Sequence, residues 1–294
     1  MELHHIADRE GKLLSFLRRE LQLSVGLVKR LKYDRAFLVN GEPQYTNYIV
    51  HPGDEITVRL DESLPEYPAE PGELTILYED EALLAVDKPA GLMVHPSAAR
   101  DTGTLANRVI WYYQQTNQPC KFHPVTRLDR DTLGVVLLAK HSHAHARMMA
   151  ALKAGTVQKT YQAWVWGGPD ADSGEIDAPI HRPDPLRMMR CVDPAGKPAL
   201  TRWRVLRREA DRTLLELTPV TGRTHQLRVH CLHMGWPMLG DPQYHTPESA
   251  AQNAALGLQT QSLCAVSLRF THPLSGEAIE IRSGLGYAQD LFKR

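Results

Sequence analysis

The stretch RLDRD, residues 127–131, crowds two aspartates and two arginines directly before the apolar run VVLLAK at 135–140. A nearby opposite charge keeps a carboxylate ionised, and an ionised carboxylate can act as a nucleophile. Asp129 is therefore the central candidate. Arg127 and Arg130 flank it, but neighbouring side chains in extended backbone point apart, so its partner has to come from elsewhere in the chain. The bland alternative is an exposed turn whose screened ion pairs contribute about 0–1 kcal/mol. Two further constellations lie downstream. KTYQAWVWG (159–167) alternates as a strand and carries Tyr161, an aromatic that could stack on a base or simply pack. GRTHQLRVH (222–230) gathers Arg223, His225, Gln226, Arg228 and His230 where a strand gives way to a helix. Such a helix start can hold an anion, or it can merely satisfy its own polar groups.

Metal and nucleotide motifs are excluded by spacing. In HSHAH only His141 and His145 share a helix face, and His230 and His233 lack a third convergent ligand. The KPAG loop is not GxxxxGK[ST], and neither GxGxxG after a strand nor G-x-S-x-G occurs. No metal is expected.

The elements that must position these residues fall into two groups. Leu13, Phe16, Leu17 and Leu21 repeat at helical spacing, and Ser24 can cap a second helix with Leu27, Val28 and Leu31 on one face. Short strands follow: AFLVNGEPQ with an Asn-Gly turn, then EITVRL after the turn HPGD. Residues 1–62 thus form a compact module of two helices and then strands. Its helix pair carries Arg18, Arg19, Lys29, Arg30, Lys32 and Arg35, either a solvated face or a docking surface for an RNA backbone. The acidic segment 63–73, with prolines and little to bury, reads as a linker. From 74 to 294 strands and helices mix without a regular βαβ beat, which predicts an α+β class. Expected there are two strands around an acidic turn near 80, a helix near 103–116, a strand buried on both faces at 135–140, a helix over SHAHARMMAALKAG and a C-terminal hairpin.

Total charge is zero over 294 residues, with 34 Lys+Arg against 34 Asp+Glu. Residues 61–80 alone carry −7, leaving 81–294 at +6 and 1–60 at +1. Mild basicity permits phosphate binding without demanding it. Four dispersed cysteines, no apolar run of membrane-spanning length and no signal-like start predict a cytoplasmic protein with reduced thiols.

Several of these stretches together resemble one family. LLAVDKPAGLMVHPS, VTRLDRDTLGVVLLAK, VQKTYQAWVWG and GRTHQLRVHCLHMGWPMLGDPQY occur in the order typical of RluA-type pseudouridine synthases, and residues 10–60 resemble the S4 RNA-binding domain. The resemblance implies a mixed, largely antiparallel central sheet flanked by helices and loops, preceded by a small S4-like α/β module. It implies that Asp129 is the catalytic carboxylate, that Tyr161 stacks on the target base, and that Arg228 pairs with Asp129. Leu227 becomes pocket wall, and Arg127, Arg130, Lys88, Arg223 and His225 become RNA-binding or bracing residues. Two positions depart from the family pattern: Thr126 stands where His is common, and Leu133 where Ser is frequent.

The implied reaction breaks the N1–C1′ bond of a uridine, rotates the base and joins C5 to C1′. Composition and oxidation state do not change, so no cofactor is expected. The implied partner is structured RNA, ribosomal or transfer, without membrane or metal, and a monomer is expected. Two rival readings remain at this level. One is an S4-type RNA-binding or ribosome-assembly protein without catalysis. The other is an N-glycosidic hydrolase using Asp131 as a second carboxylate.

Overall fold

The computed structural model describes residues 2–286 apart from 24, 34, 61–66, 97–100, 119, 185 and 187, and without the side chains of 30 and 33. The cap expected at Ser24, the side chain of Arg30 and the start of the acidic stretch lie outside the described residues.

Residues 2–60 comprise β1 (Glu2–Ile6), β2 (Gly11–Lys12), α1 (Leu13–Arg19), α2 (Val25–Tyr33), β3 (Phe37–Val39), β4 (Glu42–Pro43), β5 (Ile49–Val50) and β6 (Glu55–Arg59). Four of the strands form an antiparallel sheet in the order β1-β6-β3-β4. Leu13, Phe16 and Leu17 of α1 and Leu27, Val28 and Leu31 of α2 join Phe37, Val39, Ile56 and Val58 in one buried cluster. The helical apolar spacing thus closes a core over the sheet. Asn40 and Gly41 turn the β3–β4 hairpin with φ of 51° and 83°, the left-handed pair that a two-residue hairpin needs. The expected order needs one correction, because β1 precedes the helices. ELHHI has only two apolar residues, and pairing with β6, from Glu2↔Arg59 to Ile6↔Glu55, makes it a strand.

The rest of the chain comprises β7 (Thr75–Glu79), β8 (Leu83–Lys88), α3 (Leu105–Gln115), β9 (His123–Pro124), β10 (Leu133–Ala139), α4 (Ser142–Lys153), β11 (Gln158–Trp166) and β12 (Ser173–Asp177). It continues through β13 (Ile180–His181), β14 (Cys191–Val192), β15 (Leu200–Arg208), β16 (Arg212–Pro219), α5 (Gln226–His233), α6 (Pro247–Ala255), β17 (Leu263–Thr271) and β18 (Ala278–Arg282). One ten-stranded sheet runs β12-β15-β16-β11-β17-β10-β8-β7, with β9 on β10 and β18 on β17. Its pairs are antiparallel except β10 on β17. The α+β class and the mixed, largely antiparallel sheet therefore hold. β8 and β10 are buried along nearly their whole length, with separate apolar clusters on the two faces. Among the elements that go beyond the expectation are β12, β15 and α6. β12 and β15 pair at the sheet edge, where β15 leaves Arg202, Arg204, Arg207 and Arg208 in solvent. Helix α6, PESAAQNAA, is set by a Thr246–Ser249 capping box rather than by an apolar stripe.

The parallel seam between β10 and β17 decides where the site forms. Leu133 pairs with Cys264 and Gly134 with Ala265. Gly134 has φ +104°, and a Cβ there would stand 2.2 Å from the Ala265 carbonyl oxygen, so only glycine lets the two strands meet. On the other side of β17, Ala265 pairs with Tyr161. Gly134, Ala265 and Tyr161 thus form one row across three strands, about 10 Å wide at the usual strand spacing. The loop before β10, which carries Asp129, opens beside that row.

Candidate active site

Asp129 sits in a loop whose backbone is fastened from below. Thr126 Oγ1 accepts the Leu137 N–H at 2.9 Å, and the Thr132 N–H donates to the Asp129 carbonyl at 3.2 Å. Lys88, fully buried at 0% exposure, donates to the carbonyls of Arg130 (2.8 Å), Pro89 (2.9 Å) and Leu92 (2.8 Å). Burial lowers its ammonium from 10.5 to about 8, against the pull of Asp131 and Asp129. The expected RNA contact at Lys88 is therefore corrected: its three protons are spent on backbone carbonyls, and its part is to brace the loop. Arg130 forks onto Asp131, with Nε–Oδ1 and Nη2–Oδ2 both at 3.0 Å. Asp131 is thereby buried and occupied, which removes it as a second working carboxylate. Arg127 is exposed. Neither neighbouring arginine is hydrogen-bonded to the Asp129 carboxylate among the described residues.

The partner arrives from α5. Arg228 Nη1 donates to Asp129 Oδ2 at 3.1 Å across 99 residues of chain. The guanidinium is 4% exposed and cannot drift, because Nε and Nη2 fork onto Asp241 at 2.7 and 2.8 Å. Gln243 Oε1 accepts from Nη2 at 3.2 Å, and the Tyr244 ring lies 4.8 Å from the guanidinium carbon. Asp241, fully buried, also accepts the N–H groups of Gln243 and Tyr244, both at 2.9 Å. Burial works against the charge on Arg228, but the Asp241 and Asp129 carboxylates outweigh it and raise its pKa. Asp129 itself keeps 31% of its side chain exposed, so one face is free for a substrate. Asp241, Gln243 and Tyr244 had no assigned role in the sequence. They lie in LGDPQY, and nothing in their local pattern marks them as partners of an arginine on another helix.

His225 enters α5 in the left-handed region with φ 56°. Its Nδ1 lies 2.8 Å from Tyr244 Oη, which accepts the Arg190 N–H at 2.9 Å. The other ring nitrogen, Nε2, lies 3.8 Å from Asp129 Oδ2. Burial lowers the His225 pKa, while Asp129 pulls it the other way. Leu227 is buried beside Tyr161 in one apolar cluster. Tyr161 is half-buried, and burial together with the Asp129 charge raises its phenol above the ordinary value. Arg223 is exposed and donates through Nε to the Pro198 carbonyl at 3.0 Å. At this helix start the Gln226 side chain is fully engaged within the fold. Its Oε1 accepts from Thr221 Oγ1 and the Arg223 N–H, and its Nε2 donates to the Leu200 carbonyl and Thr201 Oγ1.

Far along the chain, Arg19, Lys29, Lys32 and Arg35 are exposed on the N-terminal module. Arg18 donates to the Leu23 carbonyl and so serves its own fold in part. Lys32 and Arg35 line a hollow of about 150 Å³ with Pro43, Gln44 and Tyr45. Among the described residues no three His, Cys, Asp or Glu side chains group to hold a metal ion, and no helix is long and apolar enough to cross a membrane.

Residues 82–233 match the family described as RNA pseudouridylate synthase. The uncharacterized RNA pseudouridine synthase YhcT of Bacillus subtilis (strain 168) is 36% identical over 274 residues, covering 91% of this chain and 87% of its own. Ribosomal large subunit pseudouridine synthase D of Pseudomonas aeruginosa PAO1 is 38% identical over 260 residues, covering 86% and 81%. The structure of human RNA pseudouridylate synthase domain containing 1 superposes with a TM-score of 0.60 at 26% identity, over 73% of this chain and 85% of that one.

Proposed function

Because the chain belongs to the RluA-type RNA pseudouridine synthases and is an isomerase acting on RNA, we propose that it modifies a uridine of ribosomal RNA with Asp129 as its catalytic carboxylate. The observation that carries the assignment is the Asp129–Arg228 contact, in which a buried, doubly anchored guanidinium faces a carboxylate that still reaches solvent. That arrangement is preorganised for an ionised oxygen. Attack at C1′, attack at the base, and stabilisation of a cationic sugar all need that charge.

Each remaining residue has a task in the sequence of bond changes. Tyr161 offers its ring to the flipped base beside Leu227. Its raised pKa keeps the phenol protonated at neutral pH. Once C5 is joined to C1′, the C5 proton leaves for water by way of Asp129 or Tyr161, the two candidate acceptors beside the base. His225 and Arg228 hold the carboxylate in place meanwhile. The isomerisation conserves atoms and oxidation state, so the reading assigns no cofactor.

Residues 1–62 are read as an S4-like module whose exposed Arg19, Lys29, Lys32 and Arg35 meet RNA phosphates, with 63–73 as linker and 74–294 as catalytic domain. The relatives named for the large ribosomal subunit support ribosomal over transfer RNA. The enzyme is placed in the cytoplasm as a monomer. Two measurements test the proposal. Asp129→Asn should bind RNA and release no tritium from [5-³H]uridine-labelled transcripts; release at the wild-type rate would remove Asp129 from the chemistry. Mapping pseudouridines in total RNA with and without the gene should show one or more sites missing from ribosomal RNA, and a loss confined to transfer RNA would overturn the substrate class.

A further inference from the structure

We propose that Lys159 grips the backbone phosphate beside the target nucleotide, an inference that rests on the pseudouridine synthase reading of the site. Lys159 stands two residues before Tyr161 on β11, so both side chains share a face of the sheet. Their Cα atoms are about 6.6 Å apart along the strand, within reach of a base and its own phosphate. The Lys159 ammonium lies 3.8 Å from where a Cβ on Gly222 would stand. It is therefore tucked beside the loop that carries Arg223 and leads into His225. Gly222 leaves the approach to that ammonium open.

What sets this lysine apart is its missing acceptor. Lys88 donates to three carbonyls, and Lys140 donates to Glu79 Oε1 and the Asp80 carbonyl. Lys159 is half-buried, and among the described residues no carboxylate, carbonyl or hydroxyl lies within hydrogen-bonding distance of its ammonium. Burial is the whole cause of its lowered pKa, and no neighbouring carboxylate opposes it. A desolvated cation without a partner is costly unless something else supplies the acceptor. A phosphate oxygen does so, and the exposed Arg223 guanidinium lies on the same loop to share it. The competing explanation is a lysine that lays its stem along the strand and sends its charge to water.

Equilibrium binding of the full chain to unmodified large-subunit ribosomal RNA transcripts separates the two. The background is Asp129→Asn, so that turnover does not intrude, and salt runs from about 50 to 200 mM. Adding Lys159→Met should make the slope of log K against log salt shallower by about 0.7 to 0.9, as expected when one phosphate is no longer neutralised. Lys159→Arg should restore it. In the otherwise wild-type enzyme, Lys159→Met should raise KM several-fold and leave kcat within about twofold, since gripping a phosphate positions RNA without touching the reacting atoms. An unchanged slope in Lys159→Met, or equal behaviour of the Met and Arg variants, overturns the proposal. Thermal melting of each variant separates misfolding from a missing phosphate grip, and Lys159→Gln substitutes if the Met variant melts early. Wild-type protein that releases no tritium would sink the isomerase reading, while the salt slope would still judge Lys159 on its own.

Discussion

Arg228 at the sheet seam and Lys32 on α2 carry the same charge in opposite circumstances. Arg228 is 4% exposed and held by two carboxylates, an amide oxygen and an aromatic face. Lys32 is exposed beside Arg35 at the rim of a shallow hollow. The seam therefore spends its charges on one another and leaves a single carboxylate face open. The N-terminal module leaves its charges to whatever anion approaches. Bond-making chemistry needs the first arrangement, because a misplaced carboxylate is ineffective. Backbone recognition of RNA works with the second, because phosphate contacts are replaceable and salt-dependent.

The largest break in this comparison is Arg228→Ala. It would strand Asp241 fully buried without its cation, at a cost of about 3–5 kcal/mol, and abolish pseudouridine formation. Urea unfolding and tritium release read the two effects. Arg228→Lys sharpens the point: one ammonium cannot fork Asp241 and reach Asp129 together, so stability should partly return while activity stays abolished.

Next in size is Lys88→Met, which leaves three carbonyls without their donor. A loss of roughly 3 kcal/mol is expected, at about 1 or more for each unsatisfied group. Its pH dependence has a definite sign. Unfolded Lys88 titrates at the ordinary 10.5 and folded Lys88 at about 8, so between those values the unfolded chain binds the proton and folding releases it. The stability contributed at this position is lowest below pH 8 and rises toward pH 10.5. The gap between wild type and Lys88→Met in urea should therefore widen as pH is raised through that window. A gap that narrows would contradict the assignment.

The smallest structural effect belongs to the paired substitution Lys32→Gln, Arg35→Gln. Stability should change by less than about 0.5 kcal/mol, as at other exposed positions. RNA affinity should fall, and its salt slope should become shallower by up to about 1.8, close to one for each phosphate left without its cation. An unchanged slope would return this face to the status of a solvated surface.

Much of the architecture is legible in the chain. Apolar spacing marks α1, α2, α4 and the doubly buried β10, and Asn-Gly marks the β3–β4 turn. The elements that escaped, β1, β12, β15 and α6, carry their polar residues outward or depend on pairing and capping instead of an apolar stripe. Within the candidate site, the family motifs single out Asp129, Tyr161, Arg228 and Leu227, and the expected pairing of Asp129 with Arg228 is the one contact among them that the structure displays as a hydrogen bond. For Lys88 the sequence leaves RNA binding and bracing both open, and only the carbonyls that surround its ammonium favour bracing.

Sequence alone settles which side chains can carry charge, stack or pack, and in which local conformation, because those properties depend on residue type and near neighbours. Only the tertiary structure decides their partners. Gly134 admits β17 against β10, Ala265 of β17 pairs in turn with Tyr161, and Asp241 fixes the guanidinium that reaches Asp129. Coulomb attraction and desolvation act through space, so Arg228 answers to a carboxylate 99 positions away while Arg130, next to Asp129 in the chain, turns to Asp131.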